Sequence, residues 1–335
     1  MKKLFLSFVA AIVAATATYA QNTLVATLTH GENVTMYYGT YALRDAHNAA
    51  VSGDIINLSG GGFQPVDITK AVTIRGTGIT EAVPTSIVSS FNINIPTNDT
   101  NRFMMEGIRC TSIYMRGSFE NPYFLKCSIS NICFNDSPVI KNAMFVNCKI
   151  YEYFYLRGTS SAQLINSYVS RFENQNETTS SASFINCIIR TSAGYESTYI
   201  KSCQLMNCIL YRDYNSTSSS LPSTTIATNC IAINDNNGMA NLFNNSQVNP
   251  NCSHHTYAEV FKDFTGGYND AQTFELTDEA KAKLLGTDGT QVGLYGGLMP
   301  FTLIPSYPRI TKMNVASKTT TDGKLSVEIE VSAAE

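Results

Sequence analysis

The sequence has no tryptophan, and charged residues make up only 15% of its 335 positions. Its charge is thin in both halves. Residues 101–212 hold 11 Lys+Arg against 7 Asp+Glu, and residues 213–335 hold 7 against 13. Neither segment has the cationic density of a nucleic-acid footprint. Only four histidines are present, and no Cys-x-x-Cys occurs. The pair His254-His255 beside Cys252 therefore lacks the ligand count a zinc site needs, and a polar loop is the plainer expectation. A phosphate-cradling Gly-Lys loop is also missing. Beyond the first 20 residues no apolar run reaches the roughly 18 residues of a membrane span. Apolar residues still make up 44%, enough for a packed core, so global disorder is excluded.

What is present starts with a leader. Lys2 and Lys3 precede the apolar stretch from Leu4 to Ala15, and Thr18-Tyr19-Ala20 makes a small-residue cleavage site before Gln21. Residues 1–20 are read as a signal peptide. Without its two lysines the formal charge goes from -3 to -3 - 2, or about -5. No Cys follows the cleavage site, which argues against a lipoprotein. The expected location is secreted, periplasmic or on the cell surface.

The dominant signal is a six-residue pattern: apolar, apolar, Asn, Cys, any, apolar. It reads Phe145-Val146-Asn147-Cys148-Lys149-Ile150, then Leu164-Ile165-Asn166-Ser167-Tyr168-Val169, then Phe184-Ile185-Asn186-Cys187-Ile188-Ile189, then Leu205-Met206-Asn207-Cys208-Ile209-Leu210. Weaker copies place Cys127 after Lys126 and Cys230 after Asn229. The Cys/Ser position recurs at 127, 148, 167, 187, 208 and 230, in steps of 21, 19, 20, 21 and 22. Cys110 is a candidate for one coil earlier. A period near 20 with variable corners indicates a solenoid. The Leu-x-x-Leu-x-Leu spacing of leucine-rich repeats is missing, and β-branched and aromatic residues without helical spacing make the segments strands.

Parity then orients the strands. Taking the whole motif as one strand puts Leu125, Cys127 and Ile129 on one face, as with Val146, Cys148 and Ile150, or Ile185, Cys187 and Ile189. That face is apolar or small and is expected to point inward. Lys126, Lys149 and Tyr168 fall on the opposite face. Stacking places Cys127, Cys148, Cys187, Cys208 and Cys230 in one buried column. Stacked Cβ vectors run parallel rather than converging, so free thiols are expected. Asn147, Asn166, Asn186, Asn207 and Asn229 form a second column. Asn side chains one coil apart can bond each other along the axis. Asn also suits a left-handed corner. Both positions, flat strand and bend, are open from the sequence.

Near the start, Leu43, Ala46, Ala49 and Ala50 fit one face of a short capping helix closed by Gly53, with strands expected at 55–58, 66–68 and 72–74. The run Leu43-Arg44-Asp45-Ala46, continuing through Gly53-Asp54-Ile55-Ile56-Asn57-Leu58 to Val72-Thr73-Ile74-Arg75-Gly76, resembles the opening of pectate-lyase-like right-handed parallel β-helix proteins. The repeat resembles their later coils, and the likeness covers about residues 40–250. It implies an all-β right-handed solenoid and a source among Bacteroides-like bacteria. The expected organisation is a signal peptide (1–20), a parallel β-helix with its caps (21–305) and a C-terminal extension (306–335). A short helix after Thr277 belongs to an irregular C-terminal cap. The extension is read as a hairpin around Thr321-Asp322-Gly323.

The resemblance also implies enzymes that cleave acidic polysaccharides, using Arg or Lys as base with Ca²⁺ held by carboxylates, or clustered Asp. This sequence departs from that pattern: no Asp-Asp pair and no Gly-His-Gly occurs. Glu152, Glu173 and Asp213 follow their repeats only at loose offsets, 4, 6 and 5 past the Cys/Ser position. Arg171, Arg190 and Arg212 align better, at 4, 3 and 4, with Tyr168, Tyr195 and Tyr211 nearby. Guanidinium groups suit a carboxylate or sulfate and tyrosine rings suit sugar faces. An ordinary solvated face is the plain alternative. The sequence therefore supports an exported, non-catalytic β-helix that binds glycan or a cell-surface partner and needs no cofactor. The alternative is a polysaccharide lyase or glycoside hydrolase, for which Ca²⁺ would be expected if it is a lyase.

Overall fold

The computed structural model describes residues 24–335, apart from 81–83, 136–137, 177, 192–198, 213–219, 234, 236–238, 245–246, 249–250, 268, 270, 316–318, 320–321, 325 and 333–335. The signal peptide read at 1–20 lies outside them. The chain is an all-β parallel solenoid of about 8 turns. Its two main sheets have 12 and 11 strands. Among the described residues no helix is long and apolar enough to cross a membrane.

Each coil contributes a strand to each sheet, and the repeat motif is the corner between them. Ala143–Val146 belongs to the first sheet and Lys149–Leu156 to the second. Between them Asn147 has φ 53°. Asn166, Asn186, Asn207 and Asn229 repeat this, at φ 45°, 52°, 56° and 54°. The asparagines are thus at the bend. Their short amide side chain lowers the cost of a left-handed backbone that most residues avoid. Backbone bonds fix the column: Asn147 N donates to Ile165 O, Asn166 N to Ile185 O and Asn186 N to Met206 O. Lys126 takes the same position at φ 54°, and Gly107 at 66°.

The corner corrects the uniform parity expected from sequence. A left-handed residue between two strands breaks the alternation, so Phe145 points inward before the corner and Cys148 and Ile150 after it. Ile165, Ile185 and Met206 face outward and are half-buried, as Phe124, Phe145, Leu164, Phe184 and Leu205 fill the first-sheet interior. Phe124 and Phe145 stack with centroids 4.7 Å apart and planes 4° off parallel, a pairing that adds about 0.5–1.5 kcal/mol beyond area burial.

Cys127, Cys148, Cys187, Cys208 and Cys230 are buried free thiols behind the corner, with Ser167 among them. Each thiol reaches the carbonyl two residues earlier: Cys148 Sγ to Val146 O at 3.4 Å, Cys187 Sγ to Ile185 O at 3.3 Å. Ser167 Oγ does the same to Ile165 O at 2.8 Å and accepts from Cys148 N. Cys110 is not in this column. It pairs with Ile129, and Ile108 holds the thiol position, its carbonyl accepting from Ser128 N.

The opening follows the physics of a capped end. Helix α1, Ala42–Ala49, buries Ala42, Leu43, Ala46 and His47, whereas Ala49 is exposed, one residue off the expected face. Lys70 Nζ donates to the carbonyls of His47, Asn48 and Ala50, closing the helix C-terminus. The strand expected at 66–68 reduces to one bridge, Ile68 to Ile93.

The C-terminal region packs on the flank of the solenoid, where a cap on its end was expected. Helices α2 (Tyr257–Val260) and α3 (Asp278–Lys283, N-capped by Thr277) form a layer on the outer face of the second sheet. Residues 285–307 then run back along the asparagine corner as a strap. Asn229 Nδ2 donates to Leu285 O, Asn207 Nδ2 to Thr287 Oγ1, Asn166 Nδ2 to Leu294 O and Gly296 O, and Asn147 Nδ2 to Pro300 O. Glu106 Oε1 and Lys126 Nζ hold Ser306, and the Arg75 guanidinium lies over the Tyr307 ring. Lys126 and Lys149, placed outside by parity, are buried, 6% and 7% exposed, Lys126 under the strap residue Ser306. The axial Asn–Asn bond expected along the whole column occurs in it once among the described residues, from Asn229 to Asn207. The Asn147 and Asn166 amides go to strap carbonyls instead, and that of Asn207 to the Thr287 hydroxyl. Beyond the strap, Arg309–Val315 pairs antiparallel with Val327–Ser332.

Two outcomes follow. Asn166→Ala loses both strap bonds and the left-handed preference, and should destabilise the fold by about 2–4 kcal/mol in urea unfolding. Asn166→Gly keeps the corner and should lose only about 1–2 kcal/mol; equal losses for the two would contradict the role of the corner. Burial pushes the thiols of Cys148, Cys208 and Cys230 well above their ordinary range. Partly exposed Cys133 and Cys252 should therefore be alkylated in the native state before any column thiol. Peptide mapping that finds Cys148 or Cys208 labelled first would overturn this.

Candidate functional site

The arginines read as one stripe do not share a column. Arg190 pairs with Ser170 and Tyr211, whereas Arg212 pairs with Thr191, one residue out of phase. A one-residue offset reverses the face of a strand, which breaks the stripe. Arg190 Nη1 donates to Ser170 Oγ at 3.1 Å. Arg212 is buried, and its carbonyl accepts from Tyr257 Oη at 2.8 Å. Arg171 sits in a left-handed position, φ 33°, with its guanidinium over Tyr153.

The tyrosines are corrected more strongly. Tyr168 and Tyr211 are 0% exposed. Their hydroxyls bond each other at 2.9 Å, Tyr168 stacks on Phe274 at 5.1 Å, and Tyr211 meets Phe264 edge-on at 4.8 Å. They do face out of the sheet, as parity required, but the C-terminal layer covers them. These rings cannot lie against a sugar. Tyr195 and Asp213 lie outside the described residues.

The carboxylates also stay apart. Glu173 pairs with Tyr155 and is buried, while Glu152 is exposed and accepts from Asn131 Nδ2 at 2.9 Å. Among the described residues no three His, Cys, Asp or Glu side chains come together to hold a metal. The expected loop at 252–255 is instead a strand: Ser253–His255 pairs with Ile231–Ile233 and ends the second sheet. Its His255 ring shares a bond with Ser253 Oγ at 3.0 Å.

An open concave surface lies on the first sheet. Pairing registers Met144, Gln163, Ser183, Gln204 and Ile226 in one outward column, one residue per coil. This column floors a groove of about 580 Å³. Asn142, Ser161, Ser181, Ser202 and Thr224 form its edge. The edge is held from within: Asn142 N donates to Ser161 Oγ at 2.8 Å and Ser202 N to Thr224 Oγ1 at 3.2 Å. Among the described residues no acidic or basic side chain lines it. Ile226 is 41% exposed at one end. Two amides and a hydroxyl thus repeat at the coil spacing, between apolar Met144 and Ile226.

This groove is hidden in the sequence because it lies one position before the six-residue motif. The residue preceding Phe145, Leu164, Phe184 and Leu205 is Met144, Gln163, Ser183 and Gln204. Extending the alignment one residue leftward exposes a polar column at this period.

No family model matches the chain, and no curated protein or solved structure is significantly similar to it.

A buried structural role for Tyr211 has a distinct signature. Tyr211→Ala should destabilise the fold by about 3–5 kcal/mol, and Tyr211→Phe by about 1 kcal/mol for the lost hydroxyl bond. Thermal and urea unfolding measure both. A Tyr211→Ala protein of unchanged stability would return this ring to the surface.

Proposed function

We propose that this is an exported β-helix protein of the pectate-lyase-like kind, from a Bacteroides-like source, that binds a glycan at the cell surface without cleaving it. The chain of the glycan lies along the first-sheet groove, parallel to the solenoid axis. The observation that carries this reading is the in-register column Gln163–Ser183–Gln204 on an open groove floor. An amide both donates and accepts, which matches the hydroxyls of a sugar chain. Met144 and Ile226 give apolar contact at either end. An uncharged lining suits an uncharged polysaccharide, because a lone charge on the ligand would lose its water there without a partner.

A binding role fits the groove better than catalysis. Glycosidic cleavage needs a group that gives or takes a proton at the scissile bond. The one titratable group among the described groove residues is the thiol of buried Cys203, which burial pushes far up. The leader at Lys2–Ala20 supports export.

Electrophoresis through gels containing uncharged polysaccharides tests the reading. The protein should be retarded by at least one of them, and Gln163→Ala with Gln204→Ala together should weaken binding about tenfold, the scale of two lost hydrogen bonds. No retardation by any uncharged glycan would overturn the proposal. So would new reducing ends or unsaturated products on incubation.

A further inference from the structure

We infer that two copies of this chain join edge to edge through the strand Asn33–Tyr38, as a two-fold dimer that continues the first sheet from one copy into the other. This strand ends the first sheet, and among the described residues no strand pairs with its outer side. Its inner side forms an antiparallel ladder with Val25–His30, running from Val25 opposite Tyr38 to His30 opposite Asn33. Just past that ladder Gly39 N donates to Leu24 O. Hydrogen-bonded pairs alternate along such a ladder, so Tyr37, Thr35 and Asn33 direct their backbone groups to the neighbouring strand. The N–H and C=O groups of Val34, Met36 and Tyr38 point to the free edge instead. The side chains of these same residues stand on the outer face and are 59%, 57% and 62% exposed. Tyr38 Oη donates to Met36 Sδ at 3.3 Å, which ties the ring to its neighbour in this apolar row.

The occupant is a second copy because this edge is complementary to itself. The residues with free backbone groups are centred on Met36, so a two-fold axis there matches them to their own copy. Val34 then faces the copy's Tyr38, Met36 faces Met36, and Tyr38 faces Val34, each pair exchanging its backbone bonds. The side chains that meet are apolar in every pair, and cross-strand pairs of this kind stabilise a sheet. No charged residue occurs in Asn33–Tyr38. Glu32 falls opposite Thr40 in the same register, so no like charges meet. The chain's other sheet edges are blunted in the ways that prevent such pairing. Gly61–Phe63 and Ser253–His255, which end the second sheet, have 3 residues each, and Gln247–Val248, at the far end of the first, has 2. The pair Arg309–Val315 and Val327–Ser332 carries Lys312, Glu328 and Glu330 and a register shift. Asn33–Tyr38 has 6 residues, no proline and no register shift. The dimer shares no residue with the groove, so the two readings fail separately. It sets the two grooves on one outer face of a continuous sheet.

Sedimentation equilibrium of the exported chain, from Gln21 onward, should show a monomer–dimer equilibrium with a dissociation constant of about 1–50 µM, the range of a small interface. Met36→Lys sets two ammonium groups opposite each other and should weaken association about tenfold or more, as should Met36→Glu. An equimolar mixture of the two variants should restore the dimer, because unlike charges then meet across the axis. Val34→Pro removes an N–H from the free edge alone and should weaken association about tenfold. Met36→Cys should oxidise to a covalent dimer on a non-reducing gel and Val34→Cys should not. Two-fold pairing brings the Met36 Cα atoms to about 5.5 Å and leaves the two Val34 residues beyond disulfide reach. The inference is overturned if the wild type stays monomeric at about 500 µM, which would leave the edge to a strand of another protein. It is also overturned if Met36→Lys leaves a dimer intact, or if the Lys and Glu variants mixed together stay monomeric. If the charged variants fail to fold, absence of the Met36→Cys cross-link overturns it equally.

Discussion

The left-handed asparagine at each corner is the constraint on which the rest depends. An L-residue with φ near 50° carries a steric cost, and asparagine carries less of it than most. Its position fixes where one sheet ends and the other begins. Behind it a thiol or hydroxyl reaches back to the carbonyl two residues earlier, inside the core. In front of it the amide points outward and donates to a different part of the chain. One residue type therefore turns the coil and anchors the strap.

That second role decides which surfaces stay open. The strap runs beside the corner, and the layer before it covers the outer face of the second sheet around Tyr168, Ile188, Ile209 and Tyr211. Burying this apolar strip removes a hydrophobic outer patch from water, the dominant stabilising term for such a layer. The groove on the first sheet stays open.

Fold and chemistry were not equally legible. The repeat at Cys148, Cys187 and Cys208 was plain, since a small apolar residue returning at a period near 20 requires coils that stack. The chemistry was harder. Arg171, Arg190 and Arg212 have similar offsets from the motif, yet the bend at Arg171 and the one-residue slip at Arg212 put them in different surroundings. Counting along the chain assumes that every intervening residue is extended. A single left-handed residue defeats that count, as it did for Ile165, Ile185 and Met206 ahead of each corner.

The sequence by itself determined the solenoid, its period and the inward thiol column, because stacked coils demand like residues at like positions and that demand is written locally. It also placed Tyr168 on the outer side of the sheet. Only the tertiary structure decided that this outer side is interior. Contacts such as Asn166 with Leu294, or Tyr211 with Phe264, join residues far apart in the chain. No periodic pattern encodes them, since they form once, between a repeat and a segment that does not repeat.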